Sequence, residues 1–203
     1  MKIEQIKELY DKTPGKYIGK HKDYGILIPF VKRQDKLFLV LEERADDLVS
    51  QPGEICFPGG RIENGEKVKA GILRETCEEL GIKESDIELI VKGDMLHRYL
   101  NANIYSYIGI IDGNVDFDSI SNSEVKRVHL IELCELMTAK VEFYFTKIGP
   151  FNIEDFPYAK IGHTHYDQWM YRDWDVPIIK CKDIVIWGLT AKFILELLKR
   201  INE

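Results

Sequence analysis

The sequence has 203 residues, of which 45% are hydrophobic and 31% are charged, and its formal net charge is −6. These values argue against a disordered chain, and the negative charge argues against a basic groove for nucleic acid. The length is enough for one domain with a substantial core and short for two. We therefore expect a single domain over residues 1–203, with local positive charge or bound cations wherever an anionic substrate binds.

The apolar runs and the cysteines of the sequence indicate where in the cell the protein is expected. The longest apolar runs, such as residues 25–31 and 105–111, are far too short to span a bilayer. The N-terminus carries mixed charge at helical spacing, which is not the pattern of a signal peptide. The four cysteines are widely scattered without CxxC spacing, so we expect reduced thiols. The resulting expectation is a cytoplasmic protein with no membrane or nucleic-acid partner.

The first half of the chain predicts a short helix, two strands and a long turn. Apolar residues recur at helical spacing from Ile3 to Tyr10. Residues 25–31 and 36–43 have the composition of strands, and the polar residues between them are typical of a hairpin. The sequence QPGEICFPGG follows, and its glycines and prolines predict turns and loops.

A helix is predicted next. Asn64 is its candidate N-cap, Glu66 suits its first turn, and Gly81 is its candidate C-cap. Its apolar stripe would consist of Ala70, Leu73, Cys77 and Leu80. Later strands are predicted over residues 87–91, 105–111, 125–131 and 141–145, a short helix over 130–137, and an amphipathic C-terminal helix over about 184–201. Residues 149–175 are aromatic and irregular, and we make no secondary-structure prediction for them.

The central helix carries a cluster of carboxylates. At about 100° per residue, Glu75, Glu78 and Glu79 fall on one side, opposite the apolar stripe. Like charges four residues apart destabilise a helix by about 0.2–0.5 kcal/mol per pair, and Arg74 can relieve part of this through Glu78. A hard divalent cation would relieve more. Taken alone, three glutamates are more often an exposed acidic face.

The spacing of the residues around these glutamates argues against a merely exposed acidic face. Residues 60–82 read GRIENGEKVKAGILRETCEELGI and resemble the Nudix box, with Thr76 as one mild departure from the usual aliphatic residue. The resemblance implies an α/β fold, a Nudix α/β/α sandwich with a mixed β-sheet, in which a loop–helix–loop motif carries the catalytic residues. It also implies a hydrolase that cleaves a diphosphate bond of a small-molecule nucleoside diphosphate derivative with Mg²⁺ or Mn²⁺. Family members are often dimers, so a homodimer is a further expectation.

The resemblance also assigns roles to residues. Glu75 and Glu79 would be the leading metal ligands, Glu78 a third, and the carbonyl of Gly60 a further one. Arg74 would orient the glutamates, and Glu66 would be structural or would act behind the metal ligands. A carboxylate must accept a proton from the attacking water; Glu75, Glu78 and Glu124, which precedes a later strand, are all candidates.

Residues 41–60, LEERADDLVSQPGEICFPGG, resemble the additional signature of coenzyme A pyrophosphatases. The usual His of that signature is replaced by Gln51. The resemblance implies coenzyme A or an acyl-CoA as substrate, with 3′,5′-ADP and (acyl-)4′-phosphopantetheine as products. The candidate substrate-binding residues are Arg44, Gln51, Gly53, Phe57 and Gly59. An arginine can pair with phosphate through two parallel hydrogen bonds, and glycines let the backbone approach a phosphate closely. Residues 186–198 also resemble the end of these enzymes.

Residues 158–175 include His163, His165, Tyr166, Trp169, Tyr171 and Trp174. A lid that stacks on adenine is one interpretation, and a metal pair formed by His163 and His165 is a second. An aromatic surface or dimer contact is the third and the more common one.

Three alternatives to a coenzyme A pyrophosphatase stay open. The first is a Nudix hydrolase of ADP-ribose, dinucleoside polyphosphates or nucleoside triphosphates. The second is an isopentenyl diphosphate isomerase on the same fold, for which Cys56 lacks the surrounding pattern. The third is a non-catalytic nucleotide-binding regulatory module, although such modules usually lose the glutamates that this chain keeps.

Overall fold

The computed structural model describes residues 2–13, 18–19, 21–98, 101–149, 155–162 and 171–203. The helices among these residues are α1 (Ile3–Lys12), α2 (Val68–Leu80), α3 (Leu133–Thr138) and α4 (Gly188–Asn202). The strands are β1 (Lys22–Arg33), β2 (Lys36–Arg44), β3 (Ile55–Cys56), β4 (Gly59–Arg61), β5 (Ile87–Arg98), β6 (Ala102–Ile111), β7 (Val125–Glu132), β8 (Lys140–Ile148), β9 (Arg172–Cys181) and β10 (Ile184–Trp187). No helix within these ranges is long and apolar enough to cross a membrane.

A seven-stranded mixed sheet lies at the centre. Its main strand order is β3-β2-β1-β6-β5, while β4 pairs with β1 and β7 pairs with β2. The β1–β6 pair is parallel, and the other pairs are antiparallel. Strands β10, β9 and β8 form a second, antiparallel sheet in that order. The mixed sheet predicted from the sequence is confirmed.

Helices cover both faces of the mixed sheet. Successive side chains of a strand point to opposite faces, and the central strand β1 is apolar at consecutive positions. Leu27 belongs to the same buried cluster as Ile72 of α2. Its neighbour Ile28 belongs to another cluster, which includes Leu39 of β2 and Ile194 of α4. Helices α2 and α4 therefore lie on opposite faces, and the expected α/β/α sandwich is confirmed.

The predicted hairpin between the first two strands is also confirmed. Gln34 and Asp35 form its turn with φ angles of 48° and 61°. Both angles are left-handed, as the commonest two-residue hairpin loop requires, because its twist then matches that of the strands. The helix predicted at the N-terminus is confirmed as α1, which contributes no buried residue.

Two helices begin several residues later in the structure than the sequence predicted. Residues 184–187 form β10, which pairs with β9 through a turn at Lys182, and α4 begins only at Gly188. The run Ile-Val-Ile-Trp is β-branched and aromatic, which favours a strand once a partner strand is available. The helix predicted over 130–137 begins at Leu133, because the preceding residues pair with β2 as part of β7.

The central helix differs from its prediction in two ways. It begins at Val68 with Lys67 as the N-cap, so Asn64 does not cap it, and Glu66 precedes it. Its C-cap, Gly81, has the predicted left-handed conformation, with φ 62°. The predicted apolar stripe is wrong in part, because Ala70 is exposed and Cys77 is half-buried. The buried residues are Gly71, Ile72, Leu73, Thr76, Glu79 and Leu80.

Glu43 ties β2 to β7 next to the site described below. Its carboxylate accepts hydrogen bonds from Arg127 at 2.6 Å and His129 at 3.0 Å, and Lys126 lies 3.2 Å away. Burial alone would raise the pKa of Glu43, but the hydrogen bonds from Arg127, His129 and Lys126 outweigh it and lower the pKa to about 2. The ionised carboxylate therefore stabilises the folded state.

We expect this contribution to stability to be fully present above about pH 4.5, the ordinary glutamate value, and to be lost as the pH falls towards about 2. It amounts to about 2 kcal/mol, since Arg127 and Lys126 are partly exposed and solvent screens their charges. Urea unfolding between pH 7 and pH 3 measures it. Glu43→Gln should lower stability at pH 7 and flatten this acid dependence; an unchanged acid slope in that variant would contradict the assignment.

Candidate active site

The turn that leads into β4 lies directly against β1. The carbonyl of Pro58 accepts a hydrogen bond from the amide of Leu27 at 2.9 Å, and Gly59 pairs with Ile26. Gly59 has φ 148°, and a Cβ at this position would overlap the carbonyl oxygen of Gly25. Only glycine permits this approach. The backbone of residues 59–60 is therefore held in a fixed position at the edge of the sheet.

Helix α2 directs two carboxylates at this backbone. The Oε2 atom of Glu79 accepts a hydrogen bond from the Gly59 amide at 2.7 Å. A Cβ on Gly60 would overlap the carboxylate of Glu75, so the two groups are in close contact. The structure thus brings together three of the predicted metal ligands: Glu75, Glu79 and the backbone of Gly60.

Arg74 ties the glutamates to one another. Its guanidinium donates to both oxygens of Glu66 at 3.0 and 3.1 Å and to Glu75 at 2.8 Å. It also donates to Glu78 at 3.3 Å and to the carbonyl of Arg61 at 3.1 Å. The hydrogen bonds that Arg74 donates to Glu66 and then to Glu75 raise the pKa of Arg74 further above its ordinary value. These contacts agree with the predicted orienting role of Arg74, and they place Glu66 as the anchor of that side chain.

Glu78 is placed differently from the other two glutamates. Its side chain is 62% exposed, whereas those of Glu75 and Glu79 are 19% and 4% exposed. The predicted shared face brings Glu75 and Glu79 together at residues 59–60, but Glu79 is buried there while Glu78 remains in solvent. Within the described parts of the chain, no three His, Cys, Asp or Glu side chains are grouped closely enough to hold a metal ion by themselves.

Buried negative charge at this site nevertheless fits a divalent cation. Glu42 is fully buried, and its Oε2 atom has no hydrogen-bond partner within the described ranges. Burial raises the pKa of Glu42, and burial together with the charge of Glu42 raises the pKa of Glu79. The only cation that the structure places near Glu79 among the described residues is Arg44, at 3.9 Å. Mg²⁺ usually takes one or two protein carboxylates and completes its shell with water and substrate phosphates, so Glu75, Glu79 and the Gly60 carbonyl suffice.

A cavity of about 280 Å³ opens beside these residues. Four of the five predicted substrate-binding residues line it: Arg44, Gln51, Phe57 and Gly59. Gly53 does not line it; with φ 69° it forms a turn whose amide donates to the Arg44 carbonyl at 3.2 Å. Gln51 also has a left-handed φ of 56°, and its side-chain amide donates to Glu54 at 2.8 Å.

Sequence reasoning missed the opposite wall of the cavity. That wall is contributed by Arg98 at the end of β5, Ile104 of β6, and Leu189, Thr190 and Phe193 of α4. Hydrophobic periodicity identified the apolar face of the C-terminal helix, but no local signal indicated that its first turn faces the same cavity as Arg44.

Glu124 lies in the loop before β7. Its side chain is exposed, and its carbonyl accepts a hydrogen bond from Ala45 at 2.8 Å, directly after Arg44. Its charge contributes to the raised pKa of the buried Glu42. The fold therefore brings Glu124 to the same end of β2 as Arg44, as a base candidate would require.

The aromatic segment is only partly described. His163, His165, Tyr166 and Trp169 lie outside the described residues. Of the remaining two, Tyr171 is exposed, and the Trp174 ring lies 4.1 Å from the ammonium of Lys192. Neither lines the cavity beside Gly60.

Gly60→Ala is expected to lower kcat by about 10- to 100-fold without unfolding the protein. Its backbone conformation is open to any residue, but the added methyl would displace the Glu75 carboxylate, and a 1 Å misplacement of a catalytic group can cost about 10²-fold. Steady-state kinetics measures kcat of the variant, and circular dichroism checks that it is folded. Gly113→Ala, in a surface loop, is the control. Wild-type turnover in Gly60→Ala would show that the Glu75 position is not critical.

Comparisons with known proteins agree with this geometry. Residues 21–146 match the NUDIX domain family. The chain is 26% identical over 184 residues to Nudix hydrolase 3 of Caenorhabditis elegans, covering 88% of this chain and 72% of that protein. It is 32% identical over 117 residues to the peroxisomal coenzyme A diphosphatase NUDT7 of Mus musculus, covering 54% of this chain and 47% of that protein.

A solved structure shows the same fold. The crystal structure of a MutT/nudix family protein from Enterococcus faecalis has a TM-score of 0.52 with this chain at 15% identity, covering 100% of this chain and 69% of that one. At this identity the likeness shows the fold alone. The family match itself spans more than half of the sequence and contains the whole of α2 with its glutamates. Nudix hydrolases generally use divalent metal ions and act on small-molecule diphosphates. The chain belongs to the Nudix family and is a pyrophosphohydrolase.

Proposed function

We propose that this enzyme hydrolyses the diphosphate bond of coenzyme A or an acyl-CoA with Mg²⁺ or Mn²⁺. The products would be 3′,5′-ADP and 4′-phosphopantetheine or its acyl form. One observation carries the proposal: the segment that resembles the coenzyme A pyrophosphatase signature lines one cavity through Arg44, Gln51, Phe57 and Gly59. The backbone of residues 59–60, which the carboxylates of Glu79 and Glu75 contact, lines the same cavity. The partial similarity to the mouse coenzyme A diphosphatase supports it.

Different residues would perform different parts of the reaction. A bound divalent ion would supply positive charge to the diphosphate oxygens and lower the pKa of the attacking water. Glu75, Glu79 and the Gly60 carbonyl would hold that ion, and Arg74 would fix the orientation of Glu75 through its 2.8 Å hydrogen bond. A carboxylate oxygen of Glu75, Glu78 or Glu124 would accept the proton of the water.

Arg44 would bind the diphosphate. Its guanidinium lies 3.9 Å from Glu79 and donates to the Ser50 carbonyl at 3.4 Å, so it is oriented and only weakly paired. Its backbone is fixed on both sides, since its amide donates to Glu54 and its carbonyl accepts from Gly53. A preoriented arginine next to the metal ligands can form bidentate bonds to phosphate. Gln51 can also donate to the substrate where other signatures carry His.

Product analysis tests the proposal. The enzyme is incubated with coenzyme A, ADP-ribose and a dinucleoside polyphosphate, each with and without Mg²⁺ or Mn²⁺, and products are separated by chromatography. We expect metal-dependent release of 3′,5′-ADP and 4′-phosphopantetheine. Cleavage of another diphosphate alone would refute coenzyme A specificity and keep the hydrolase. The absence of any cleavage, with Mg²⁺ binding lost as well, would favour a non-catalytic nucleotide-binding module.

All four cysteines are free thiols in the structure. This supports the cytoplasmic location expected from their spacing, since disulfides are rare in reducing compartments. Site-directed labelling with a thiol reagent after purification without reductant would count them; fewer than four reactive thiols in the denatured protein would contradict a fully reduced chain.

A further inference from the structure

A second arginine faces the cavity from the side opposite the catalytic helix. Arg98 is the last residue of β5 and lines the cavity together with Arg44. Its Nε atom is buried and has no hydrogen-bond partner within the described ranges of the chain. Arg44 differs, because its Nε atom donates to Ser50 and its Nη1 atom lies near Glu79. Arg98 thus presents a buried donor that no protein group of the described residues satisfies.

An unsatisfied donor on a charged group is costly. Burying a polar group without a hydrogen bond lowers the stability of a protein, and more so when the group is charged. The cost is offset when an anion enters the cavity and accepts from the guanidinium, since Arg–phosphate hydrogen bonds are among the strong ones. The structure therefore assigns Arg98 to ligand binding rather than to stabilising the fold.

The strand order places the backbone of Arg98 far from that of the candidate metal ligand Gly60. Arg98 pairs with Ala102 of β6, Ala102 pairs with Lys22 of β1, and Gly60 of β4 pairs with Gly25 of β1. Three steps between neighbouring strands, each about 4.8 Å, separate the backbones of β5 and β4 by about 14 Å. A diphosphate seated at Gly60 and Arg44 does not extend over that width. Arg98 is therefore positioned for a different anionic group of the same ligand.

Apolar side chains form part of the cavity that the two arginines share. Besides the two arginines, the cavity lining includes the apolar side chains Ile104, Leu189 and Phe193 and the ring of Tyr24. Apolar walls between two cationic ends suit a ligand whose base and ribose separate two phosphorylated positions. A phosphate monoester carries about −1.5 to −2 charges at neutral pH, which makes it a strong acceptor for the Nε donor of Arg98 that has no partner among the described residues.

We propose that Arg98 binds a phosphate monoester that the substrate carries apart from the diphosphate that is cleaved. The enzyme then prefers nucleotide substrates with such a group over those without it. For the function proposed above, on which this inference rests, the group is the 3′-phosphate of the ADP part of coenzyme A. Arg98 is a specificity-determining residue, and the chemistry at the diphosphate belongs to α2 and Arg44.

A matched pair of substrates tests this. The ratio of kcat/KM for coenzyme A over 3′-dephospho-coenzyme A is measured for the wild type, Arg98→Gln and Arg98→Lys. We expect a ratio of about 10 to 100 in the wild type, the value of one charge-assisted interaction, a ratio near one in Arg98→Gln, and an intermediate ratio in Arg98→Lys. Lys92→Gln removes a positive charge from the exposed part of the same strand and should keep the wild-type ratio.

Calorimetric binding of 3′,5′-ADP and 5′-AMP separates this inference from the proposed function. Tighter binding of 3′,5′-ADP by the wild type, lost in Arg98→Gln, supports Arg98 even if coenzyme A is not hydrolysed. Equal binding of the two nucleotides, or the same preference in Arg98→Gln as in the wild type, overturns the inference while leaving hydrolysis of coenzyme A untouched. If Arg98→Gln fails to fold, the same comparison in Arg98→Lys decides.

Discussion

Glu79→Gln is expected to lower kcat by about 10³-fold or more while the fold stays intact. The Glu79 side chain is 4% exposed and accepts a hydrogen bond from the Gly59 amide at 2.7 Å. Glutamine has the same shape and keeps an oxygen that can accept this bond, so packing is preserved. What is lost is the negative charge that holds the cation, and metal ions supply several kcal/mol to reactions of this kind, with about 1.4 kcal/mol for each factor of ten.

Two measurements check this result. Steady-state kinetics gives the loss of turnover, and thermal unfolding with and without Mg²⁺ gives the stabilisation by the metal, which should be smaller in the variant because bound ligand stabilises only the folded state. Glu84→Gln is the matched control, since it removes an exposed carboxylate just beyond the end of α2. Wild-type turnover in Glu79→Gln would rule out the proposed metal site.

Arg74→Lys is expected to lower kcat/KM by about 10- to 100-fold although it keeps the positive charge. The guanidinium donates to Glu66, Glu75 and Glu78 at once, and a lysine ammonium cannot reproduce this planar set of donors. Glu75 would then be free to leave its position beside Gly60. We also expect stability to fall by about 1–2 kcal/mol, since hydrogen bonds to charged groups contribute about 1.5–3 kcal/mol each and solvent weakens those at the exposed Glu78.

Kinetics and urea unfolding of Arg74→Lys separate orientation from charge. Arg172→Lys, on the exposed part of β9, is the control for a general effect of the exchange. If Arg74→Lys keeps wild-type kcat/KM but loses stability, the role of Arg74 is structural only. If Arg74→Ala is far worse than Arg74→Lys, charge contributes in addition to orientation.

The wall of the cavity shows how the C-terminal part of the chain can determine specificity. The family match ends at residue 146, yet Leu189, Thr190 and Phe193 of α4 border the cavity beside the residues of the matched region. Helix α4 packs on the sheet face opposite α2, in the same cluster as Ile28 and Phe57. Changes in α4 can therefore reshape the space for the substrate without moving the glutamates of α2.

Local patterns in the sequence were sufficient to predict several structural elements. The hairpin at residues 34–35, the body of α2 and its end at Gly81 all follow from turn chemistry and capping, which act over a few residues. The identity of the catalytic segment followed from the spacing of charged residues and glycines in residues 60–82. These features need no knowledge of what packs against them.

Other features depend on partners that are distant in the chain. Residues 184–187 form a strand because β9 lies beside them, and a short apolar run does not reveal by periodicity alone whether it continues a helix. Helix α2 begins later than predicted. Glu66, which was expected in its first turn, precedes the helix and pairs with Arg74 instead.

The burial of Glu79 and the position of Arg98 were decided only by the tertiary structure. Spacing placed Glu79 with Glu75 and Glu78 on one helix face, whereas contact with the Gly59 amide withdraws it from solvent. Arg98 lacks any local motif, and it reaches the cavity because parallel pairing of β1 with β6 brings β5 alongside. The sequence by itself predicted, through local spacing, which residues would carry the chemistry. The sheet pairing determined which charges are buried and which residues line the cavity, because burial and long-range pairing are properties of the assembled fold.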